Sequence, residues 1–347
     1  MTMLIAEKDE IVRQEPLLQL RGVKKYYPIK RGVFSRTVGH IKAVDGIDLD
    51  VYPGETVGLV GESGCGKSTL GRSIIKLEEL SEGSVLFQGT DLAPLNMPQM
   101  RRLRSDLQMI FQDPYSSLNP RKRIVELLTE PLKTLSGLGE AEALRQACEL
   151  MELVGLSPQS LGKYPHEFSG GQRQRIGIAR AVGLRPKLIV CDEPVSALDV
   201  SIQAQILNLM KELQKQFRLT YLFIGHGLGA VKYVSDRIAV MYLGKIVEIA
   251  PKARIFSAPK HPYTRALLDA YPAPNPALRN ARRIVLEGDV PSPAAPPSGC
   301  RFHTRCPVAQ PKCKEQEPPL SGGEHRVACH FPLGEEIAVR TGGAAYA

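Results

Sequence analysis

Early in the chain, a glycine-rich segment has the residue types and the spacing that bind phosphate. It follows the pattern G-x-x-x-x-G-K-S and reads Gly61, Glu62, Ser63, Gly64, Cys65, Gly66, Lys67 and Ser68, with Thr69 after it. Glycines let the backbone turn tightly so that N–H groups converge on phosphate oxygens, and a following helix adds the positive end of its dipole. Lys67 would place a cation beside the β- and γ-phosphates, and Ser68 would hold Mg²⁺. A glycine-rich turn that binds nothing is the weaker alternative, because a strand-like run precedes the segment and a helix-like run follows it.

Two adjacent carboxylates could hold the metal and activate water. Asp192 and Glu193 follow the apolar run at residues 188–191, which suits a strand buried on both faces. At the tip of such a strand one carboxylate can bind Mg²⁺, while its neighbour points to the other side of the pleat and can polarise water. The pair alone is weak support, but together with the glycine-rich segment it predicts a site that binds and hydrolyses a Mg²⁺–nucleotide complex.

The runs around these motifs alternate between strand and helix patterns and predict an α/β unit. We expect a strand at Thr56–Val60 and a helix from about residue 67 to 76, on either side of the glycine-rich segment. Further strands are expected at residues 187–191 and 220–225, followed by a hairpin around Gly244. An apolar stripe predicts a helix over residues 199–217 and consists of Ile202, Ile206, Leu209, Leu213 and Phe217.

Residues 94–180 have a different pattern, which predicts a helical insertion. One helix face in this region is formed by Ala143, Ala147, Leu150, Met151 and Val154. After Pro251 the composition changes again: 15 of the 27 prolines lie in the last 97 residues, and such a loop-rich segment cannot build a large core by itself. With 347 residues, the chain is long enough for one domain of about 250 residues and an appendage.

The composition excludes several classes of protein. A hydrophobic fraction of 43% with 23% charged residues is typical of a globular chain, and no window approaches the ~18 consecutive apolar residues that cross a membrane. The first residues are partly acidic where a secretory signal needs a basic start and an apolar run, so we expect a cytosolic protein. The net charge of +9 permits an anionic partner, but without Trp or a basic run interleaved with aromatic residues we expect no nucleic-acid binding.

The sequence between the two motifs resembles the signature of ATP-binding-cassette (ABC) ATPases. It reads Phe168, Ser169, Gly170, Gly171, Gln172, Arg173, Gln174 and Arg175, where the family often has Leu in place of Phe168. Four more positions resemble landmarks of the family, in the family's order. Tyr27 corresponds to the aromatic residue that stacks on adenine, Gln112 to the Q-loop, Asp199 to the D-loop and His226 to the switch histidine. Within the ATPase part, this resemblance covers residues 17–250.

The resemblance implies an ATPase that works as a pair. In this family two ATPase domains face each other head to tail, and each ATP lies between the phosphate-binding loop of one and the signature of the other. The Ser169 hydroxyl and the Gly171 N–H, at the start of a helix, would then contact the γ-phosphate held by the partner. The other implied roles are general base for Glu193, Mg²⁺ ligands for Asp192 and Gln112, and contact with the γ-phosphate for His226.

The switch histidine lies in a segment that departs from the family. The family usually has Ser/Thr-His-Asp, whereas this chain has Gly225, His226 and Gly227. Because the carboxylate is missing and glycines flank the histidine, we expect a less rigid His226 and a lower turnover. A regulatory domain that does not hydrolyse ATP is the alternative that this departure supports.

Other segments resemble one branch of the family, the ATPases of dipeptide and oligopeptide (and nickel) importers, and most closely the F-type ATPases of dipeptide importers. These segments are residues 119–121, 193–201, 261–264, 291–293 and 296–300. The implied fold is an α/β ABC ATPase with a RecA-like core, an N-terminal antiparallel β subdomain and a helical subdomain, plus a small Pro- and Cys-rich C-terminal domain. The expected boundaries are a flexible N-terminus at 1–16, the ATPase domain at 17–250 with its helical part at about 94–180, the C-terminal domain at 251–335 and a flexible tail at 336–347.

Membership of this branch also implies partners. These are a paralogous ABC ATPase that completes a heterodimer, two membrane-spanning permeases and an extracytoplasmic peptide-binding protein. The chain would lie on the cytoplasmic face of the bacterial inner membrane and hydrolyse ATP to drive import of dipeptides and oligopeptides. Nickel, glutathione or antimicrobial peptides are alternative cargoes, because the ATPase does not contact the cargo. A soluble ABC protein acting on DNA or ribosomes is disfavoured, because the sequence has neither a second cassette nor a long coiled-coil insertion.

Four of the seven cysteines lie in the last fifty residues, and their spacing predicts a metal site. The pattern is C-x₅-C-x₆-C-x₁₅-C and comprises Cys300, Cys306, Cys313 and Cys329. Pro-rich segments with few apolar residues surround them, a setting in which a metal can replace a core. Four thiolates suit Zn²⁺ or an iron–sulfur cluster, and the C-x₂-C pairs typical of zinc are absent from this part of the sequence. The resemblance also points to a [4Fe–4S] cluster, while Zn²⁺ and free thiols are the alternatives.

Overall fold

The computed structural model describes residues 15–32, 35–270 and 288–334, and builds them on two β-sheets. The strands are β1 (Leu18–Arg31), β2 (Arg36–Val51), β3 (Thr56–Val60), β4 (Glu82–Phe87), β5 (Thr90–Asp91), β6 (Leu107–Ile110), β7 (Leu188–Asp192), β8 (Thr220–Ile224), β9 (Arg237–Tyr242), β10 (Lys245–Pro251) and β11 (Arg326–Val327). The helices are α1 (Lys67–Ile74), α2 (Met97–Leu103), α3 (Pro114–Ser117), α4 (Ile124–Ser136), α5 (Glu140–Leu153), α6 (Gly170–Val182), α7 (Val200–Phe217), α8 (Leu228–Val234), α9 (Lys252–Ser257), α10 (Pro262–Ala270) and α11 (Pro311–Glu315). None of these described helices has both the length and the apolar character needed to cross a membrane. The expected flexible tail and all but two residues of the expected flexible N-terminus lie outside the described residues.

The larger sheet brings the predicted motifs to one edge. Its strand order is β11-β10-β9-β3-β8-β7-β6, in which the strands from β9 to β6 are parallel and β10 and β11 are antiparallel additions. Because parallel strands end at the same edge of a sheet, the segments that follow β3, β8, β7 and β6 lie side by side. These segments hold the glycine-rich loop, His226, the two carboxylates and Gln112.

The smaller sheet is antiparallel, with the order β2-β1-β4-β5. Its first two strands form a hairpin longer than the short β-like runs that the sequence alone predicts at residues 17–27 and 43–51. The expected first strand stops before Pro28, but in the structure the pairing continues through this residue. The proline is tolerated because β4 pairs with β1 only as far as Lys24, so that Pro28 has a partner strand on one side alone.

The central elements of the predicted α/β unit are found close to their expected positions. β3 has the predicted bounds, and the helices expected at residues 67–76 and 199–217 are the slightly shorter α1 and α7. On α7, Ile206, Leu209 and Leu213 are buried as the apolar stripe predicts. The predicted α/β architecture, a mainly parallel sheet with a separate antiparallel β subdomain, is therefore found in the structure.

The region at residues 94–180 is mainly helical but also contains a strand. The face predicted for α5 is buried, with Ala143, Ala147, Met151 and Val154 fully enclosed. The strand is β6, which has four residues and pairs in parallel with β7 at the edge of the large sheet. A run this short has no periodicity that separates it from a helix, so the sequence did not indicate it.

Glu248 of β10 joins the C-terminal segment to the large sheet. Its carboxylate is fully buried and accepts hydrogen bonds from the backbone N–H groups of Lys260 and His261, at 2.6 and 2.9 Å. The imidazole of His325 lies 2.6 Å from the same carboxylate. On the adjacent strand of the same sheet, Val327 of β11 pairs with Glu248. A segment with few apolar residues is thus anchored through one buried acid.

Aromatic and charged contacts extend this junction. Tyr242 of β9, Tyr263 of α10 and Phe302 form a cluster with ring centroids 4.7 to 5.4 Å apart. Beside it, Arg301 forms a buried ion pair with Asp45 of β2. The C-terminal segment therefore shares the core of the ATPase sheets, which agrees with the expectation that it cannot build a large core of its own.

Candidate active site

The glycine-rich loop between β3 and α1 is packed so closely that two of its positions require glycine. A Cβ atom at Gly61 would lie 2.1 Å from the carbonyl oxygen of Met241, and one at Gly66 would lie 2.0 Å from that of Ala43. Gly66 also has a φ of +104°, which side chains other than glycine rarely allow. The tight turn fixes where α1 begins, directly above the end of β3.

Lys67, the first residue of α1, is folded back against the loop. Its side chain is buried, and its ammonium donates hydrogen bonds to the carbonyl oxygens of Gly61 and Glu62 over 2.9 and 3.0 Å. The sulfur of Cys65 lies 3.7 Å from the ammonium, and burial raises the pKa of this thiol, which keeps it neutral. In the described part of the chain no carboxylate forms an ion pair with Lys67, so its charge is available to an anion such as phosphate.

Ser68 and Asp192 offer oxygen atoms to a cation. The Ser68 hydroxyl donates to Oδ1 of Asp192 over 2.7 Å, while Oδ2 is buried and has no hydrogen-bond partner among the described residues. Burial raises the pKa of Asp192, and the hydrogen bond from Ser68 acts against this shift. An unpaired buried carboxylate oxygen beside a hydroxyl is a donor set that fits Mg²⁺, which prefers oxygen ligands.

Glu193 lies between the two side chains that were predicted to accompany it. The amide nitrogen of Gln112 donates to Oε2 of Glu193 over 2.9 Å, and Nδ1 of His226 lies 3.2 Å from the same oxygen. Glu193 has a φ of +46°, in the left-handed region that residues other than glycine rarely adopt. Its backbone N–H donates to the carbonyl of Ile224 at 3.0 Å, which ties the end of β7 to β8.

The glycines beside His226 are not both required by the backbone. At Gly227 φ is −81° and an added Cβ would meet nothing within 4 Å, whereas at Gly225 it would lie 3.0 Å from Val231. The His226 side chain is 60% exposed. The position after the histidine could therefore hold a larger residue, while the lower rigidity expected of His226 stays a prediction.

One open cavity of about 440 Å³ joins these groups. Its lining consists of Ala43, Ser63, Gly64, Gly66, Lys67, Ser68, Thr69, Gln112, Glu193 and His226. All of these except Ala43 are among the predicted site residues, and Gly61, Cys65 and Asp192 lie directly behind the lining. The structure thus brings residues from the ends of four strands together in one site.

The signature residues lie outside this cavity, at the start of α6. Ser169 caps the helix: its hydroxyl accepts a hydrogen bond from the N–H of Gln172 at 3.3 Å, and its own N–H donates to the Gln172 side chain at 3.0 Å. Both residues are exposed, Gly170 is half-buried, and Gly171 is buried where a Cβ would lie 2.6 Å from Ile202. The chain does not bring its own signature to its own phosphate loop.

Asp199 and Tyr27 also lie outside the cavity lining. Asp199 caps α7 by accepting hydrogen bonds from the N–H of Ile202 at 3.0 Å and from the Ser201 hydroxyl at 2.8 Å. The first of these hydrogen bonds lowers the pKa of Asp199. The half-buried Tyr27 donates its hydroxyl to Glu78, and burial raises the pKa of Tyr27 to about 12.

The four C-terminal cysteines do not form the predicted metal site. Among the described residues, which include all of these cysteines, no group of three or more His, Cys, Asp or Glu side chains is arranged to hold a metal ion. The cysteines instead line a small pocket together with Phe302, Val308 and Phe331. Burial raises the pKa of Cys300, Cys306 and Cys329, the last to about 11, which favours thiols over thiolates. The prediction of an iron–sulfur cluster is therefore wrong, and its zinc alternative is not supported.

Two residues without a predicted role contact the phosphate loop from the C-terminal segment. Arg305 forms an ion pair with Glu62 at 2.8 Å, and the Tyr263 hydroxyl accepts a hydrogen bond from the Glu62 N–H at 2.9 Å. Their positions are 243 and 201 residues from Glu62 along the chain. Because no local pattern connects residues so far apart, neither contact can be predicted from the sequence.

Comparisons with known proteins match both parts of the chain. Residues 44–196 match the family described as "ABC transporter", and residues 247–313 match "Oligopeptide/dipeptide transporter, C-terminal region". The oligopeptide transport ATP-binding protein AppF of Bacillus subtilis is 55% identical, over 92% of this chain and 98% of its own. OppF of Salmonella typhimurium, with the same descriptive name, is 50% identical over 92% and 97%.

Solved structures share the fold of the ATPase part. The dimeric ATP-binding cassette MJ0796, in a post-hydrolysis state bound to ADP and Pi, is 26% identical with a TM-score of 0.60, over 68% of this chain and 98% of its own. The cbiO1 protein of Clostridium perfringens, at 23% identity and a TM-score of 0.60 over 71% and 92%, supports the fold alone. Because relatives at least 50% identical match nearly the whole chain, the chain belongs to the ABC ATPases, in the family of oligopeptide transport ATP-binding proteins.

Proposed function

We propose that this chain is the ATP-hydrolysing subunit of an importer for dipeptides and oligopeptides. The observation that carries the proposal is the position of Glu193, which lines the same cavity as Lys67 and Ser68 and contacts both Gln112 and His226. The class of cargo comes from the relatives, since AppF and OppF are named for oligopeptide transport. Those names favour peptides over the alternative cargoes of nickel, glutathione and antimicrobial peptides.

In the proposed mechanism the loop and the start of α1 bind the phosphates of ATP. Lys67 would pair with the β- and γ-phosphates, and Ser68, Asp192 and Gln112 would hold Mg²⁺. When bound, Mg²⁺ neutralises charge on the phosphate oxygens. The remaining proposed contacts from the loop are Gly61, Ser63, Gly64, Cys65, Gly66 and Thr69.

Glu193 is the proposed general base. Both of its hydrogen-bond contacts are made through Oε2, so Oε1 can accept the proton of a water molecule that attacks the γ-phosphate. His226 and Gln112 hold the carboxylate in place, and the exposed imidazole of His226 can also reach the γ-phosphate. Of the two adjacent acids, Asp192 would thus hold the metal and Glu193 would act as the base.

Tyr27 is the proposed adenine contact. The side chain of Thr69, which itself lines the phosphate cavity, lies near enough to the Tyr27 hydroxyl to lower its pKa against the effect of burial. A nucleotide whose phosphates lie on the loop would therefore have Tyr27 within reach of its other end. Stacking of the phenol ring on a base needs only an accessible ring face, and the side chain is half-buried rather than enclosed.

The signature residues are proposed to act on a second ATPase subunit, a paralogue that completes a heterodimer. Ser169 and Gln172 are exposed at the start of α6, with Gly170 and Gly171 between them, and this segment lies outside the chain's own cavity. A helix start offers N–H groups to phosphate, so these residues would close the partner's site, with Asp199 beside them. The description of MJ0796 as dimeric supports this arrangement by analogy.

The remaining proposed partners are two membrane-spanning permeases and an extracytoplasmic peptide-binding protein. The chain would be a peripheral subunit on the cytoplasmic face of the inner membrane, and closure of the ATPase pair would move the permeases. The test is to purify the tagged chain from membranes under mild detergent and identify what accompanies it. We expect a paralogous ATPase and two permeases, with ATP-dependent uptake of a labelled dipeptide after reconstitution; recovery of the chain as a homodimer without permeases would contradict the proposal.

A further inference from the structure

Glu62, the second residue of the phosphate loop, is held through three different polar groups. Its N–H donates to the hydroxyl of Tyr263 at 2.9 Å, and its carbonyl oxygen accepts from the ammonium of Lys67 at 3.0 Å. Its carboxylate accepts hydrogen bonds from both terminal nitrogens of Arg305, at 2.8 and 3.1 Å. Two of these three contacts come from the C-terminal segment, and the third leads to the lysine that binds phosphate.

The contacts from the C-terminal segment are made by two buried side chains. Tyr263 is fully buried in the aromatic cluster with Tyr242 and Phe302, and only 7% of the Arg305 side chain is exposed. The guanidinium of Arg305 also lies 3.5 Å from the Tyr242 hydroxyl. A bidentate pair between a guanidinium and a carboxylate fixes direction as well as distance, so Glu62 has little freedom to turn.

We propose that Arg305 and Tyr263 are positioning residues for ATP binding, which hold the phosphate loop and the Lys67 ammonium in place through Glu62. Neither residue lines the phosphate cavity, so both act through the loop and not on the nucleotide. The C-terminal segment thereby sets the affinity of the ATPase site. This inference rests on the proposed function, because it assumes that the loop binds ATP.

The test measures nucleotide affinity in the full-length chain after each contact is removed. The variants are Arg305→Met, Glu62→Gln and Tyr263→Phe, and the probe is the fluorescent nucleotide mant-ATP with Mg²⁺. We expect each variant to raise the Kd about tenfold, which corresponds to about 1.4 kcal/mol. In the complex purified from membranes, KM for ATP should rise with little change in kcat, because the contacts position the loop before and during the reaction alike.

Two comparisons distinguish a positioning role in nucleotide binding from a role in stability alone. The double variant Glu62→Gln with Arg305→Met should bind no more weakly than Arg305→Met alone, because both act on one contact. Arg237→Met removes a similar ion pair, with Glu55 at 3.0 Å, away from the loop, and should lower the unfolding temperature without changing the Kd. Variants that lose stability but keep the wild-type Kd would overturn the proposal, and Tyr263→Phe, which removes a single hydroxyl, preserves the test if Arg305→Met does not fold. Failure of the wild-type chain to bind mant-ATP would instead contradict the proposed function.

Discussion

The chemistry of Glu193 depends on the conformation of one backbone position. β7 ends with Asp192 directed at Ser68, and the next residue has a φ of +46°. For a residue other than glycine, such a conformation costs about 1–3 kcal/mol and persists only where surrounding contacts hold it. Here the N–H of Glu193 is bonded to Ile224 of β8. The strained turn gives two neighbouring acids different surroundings, so that one is suited to a metal and the other to a base.

Replacing Glu193 by Gln should separate ATP binding from hydrolysis. The amide has nearly the same shape but cannot accept the proton of water, so we expect phosphate release by the assembled complex to fall by ~10²–10⁴-fold. The affinity of the chain for mant-ATP should remain close to that of the wild type. Glu212→Gln, which changes an exposed acid on α7, serves as the control and should alter neither quantity. Turnover near the wild-type rate in the Glu193 variant would refute its assignment as the base.

A site residue can be predicted from the sequence when it lies in a short motif with fixed spacing, and not when its contacts are with residues far along the chain. Those that line the cavity lie in short motifs with fixed spacing, so the spacing itself reports their chemistry, as in the loop that ends at Ser68. Arg305 has no such link to Glu62, because the contact exists only once the C-terminal segment packs on the sheet. The cysteines show the opposite error: Cys300 and Cys329 share a pocket as the spacing suggests, but burial keeps them as thiols.

At the scale of elements, the order of the strands positions the site. Four separate segments reach one edge because β6, β7, β8 and β3 are adjacent in the parallel part of the large sheet. Hydrophobic runs predict that such strands exist, yet they do not give their order, which is decided by packing between distant segments. The four-residue β6 was missed for a related reason, since its partner β7 lies far along the chain and its own run is too short to be distinctive.

The start of α10 makes the stability of the C-terminal segment depend on pH. His261 is buried, and burial lowers its pKa to about 4 although the charge of Glu248 acts in the opposite direction. Its Nδ1 accepts a hydrogen bond from the N–H of Tyr263 at 3.1 Å, which requires the neutral ring. Because the folded pKa lies below the unfolded value of about 6.5, this group contributes full stability above pH 6.5 and loses it as the pH falls towards 4.

We therefore expect unfolding to become easier on acidification by a defined amount. The loss attributable to His261 is about 2 kcal/mol at pH 5 relative to pH 8, measured from denaturant-induced unfolding followed at both pH values. His261→Asn keeps an acceptor for the Tyr263 N–H but cannot be protonated, so it should flatten this part of the pH profile. The same change at the exposed His166 should leave the profile as it is. An unaltered slope in the His261 variant would show that another group causes the acid sensitivity.

At the scale of the whole molecule, the open cavity is lined by one chain only, and the proposed second subunit would complete it. Lys67, Ser68 and Glu193 line the cavity and can bind and orient ATP. The signature, at the start of α6 in the same chain, does not line this cavity. The Ser169 hydroxyl caps α6 by accepting a hydrogen bond from the Gln172 N–H, and this fixes the geometry of the helix start. The proposed pairing with a second subunit explains why the signature residues and Asp199 lie outside the cavity.

This division predicts that a change at Ser169 acts on the partner's site and not on the chain's own. Ser169→Arg adds a bulky cation at the proposed contact with the partner's nucleotide, and we expect ATP turnover of the assembled complex to fall by about 10²-fold or more, as for loss of a group that stabilises the transition state. The isolated chain should still bind mant-ATP with unchanged affinity, because Ser169 does not line its cavity. The arginine also removes the cap of α6, at a cost of about 0.5–2 kcal/mol, so Ser157→Arg, which changes an exposed residue that makes no capping hydrogen bond, provides the comparison for added bulk and charge. Weakened binding in the isolated Ser169 variant would place the signature at the chain's own site, and unchanged turnover in the complex would remove it from catalysis altogether.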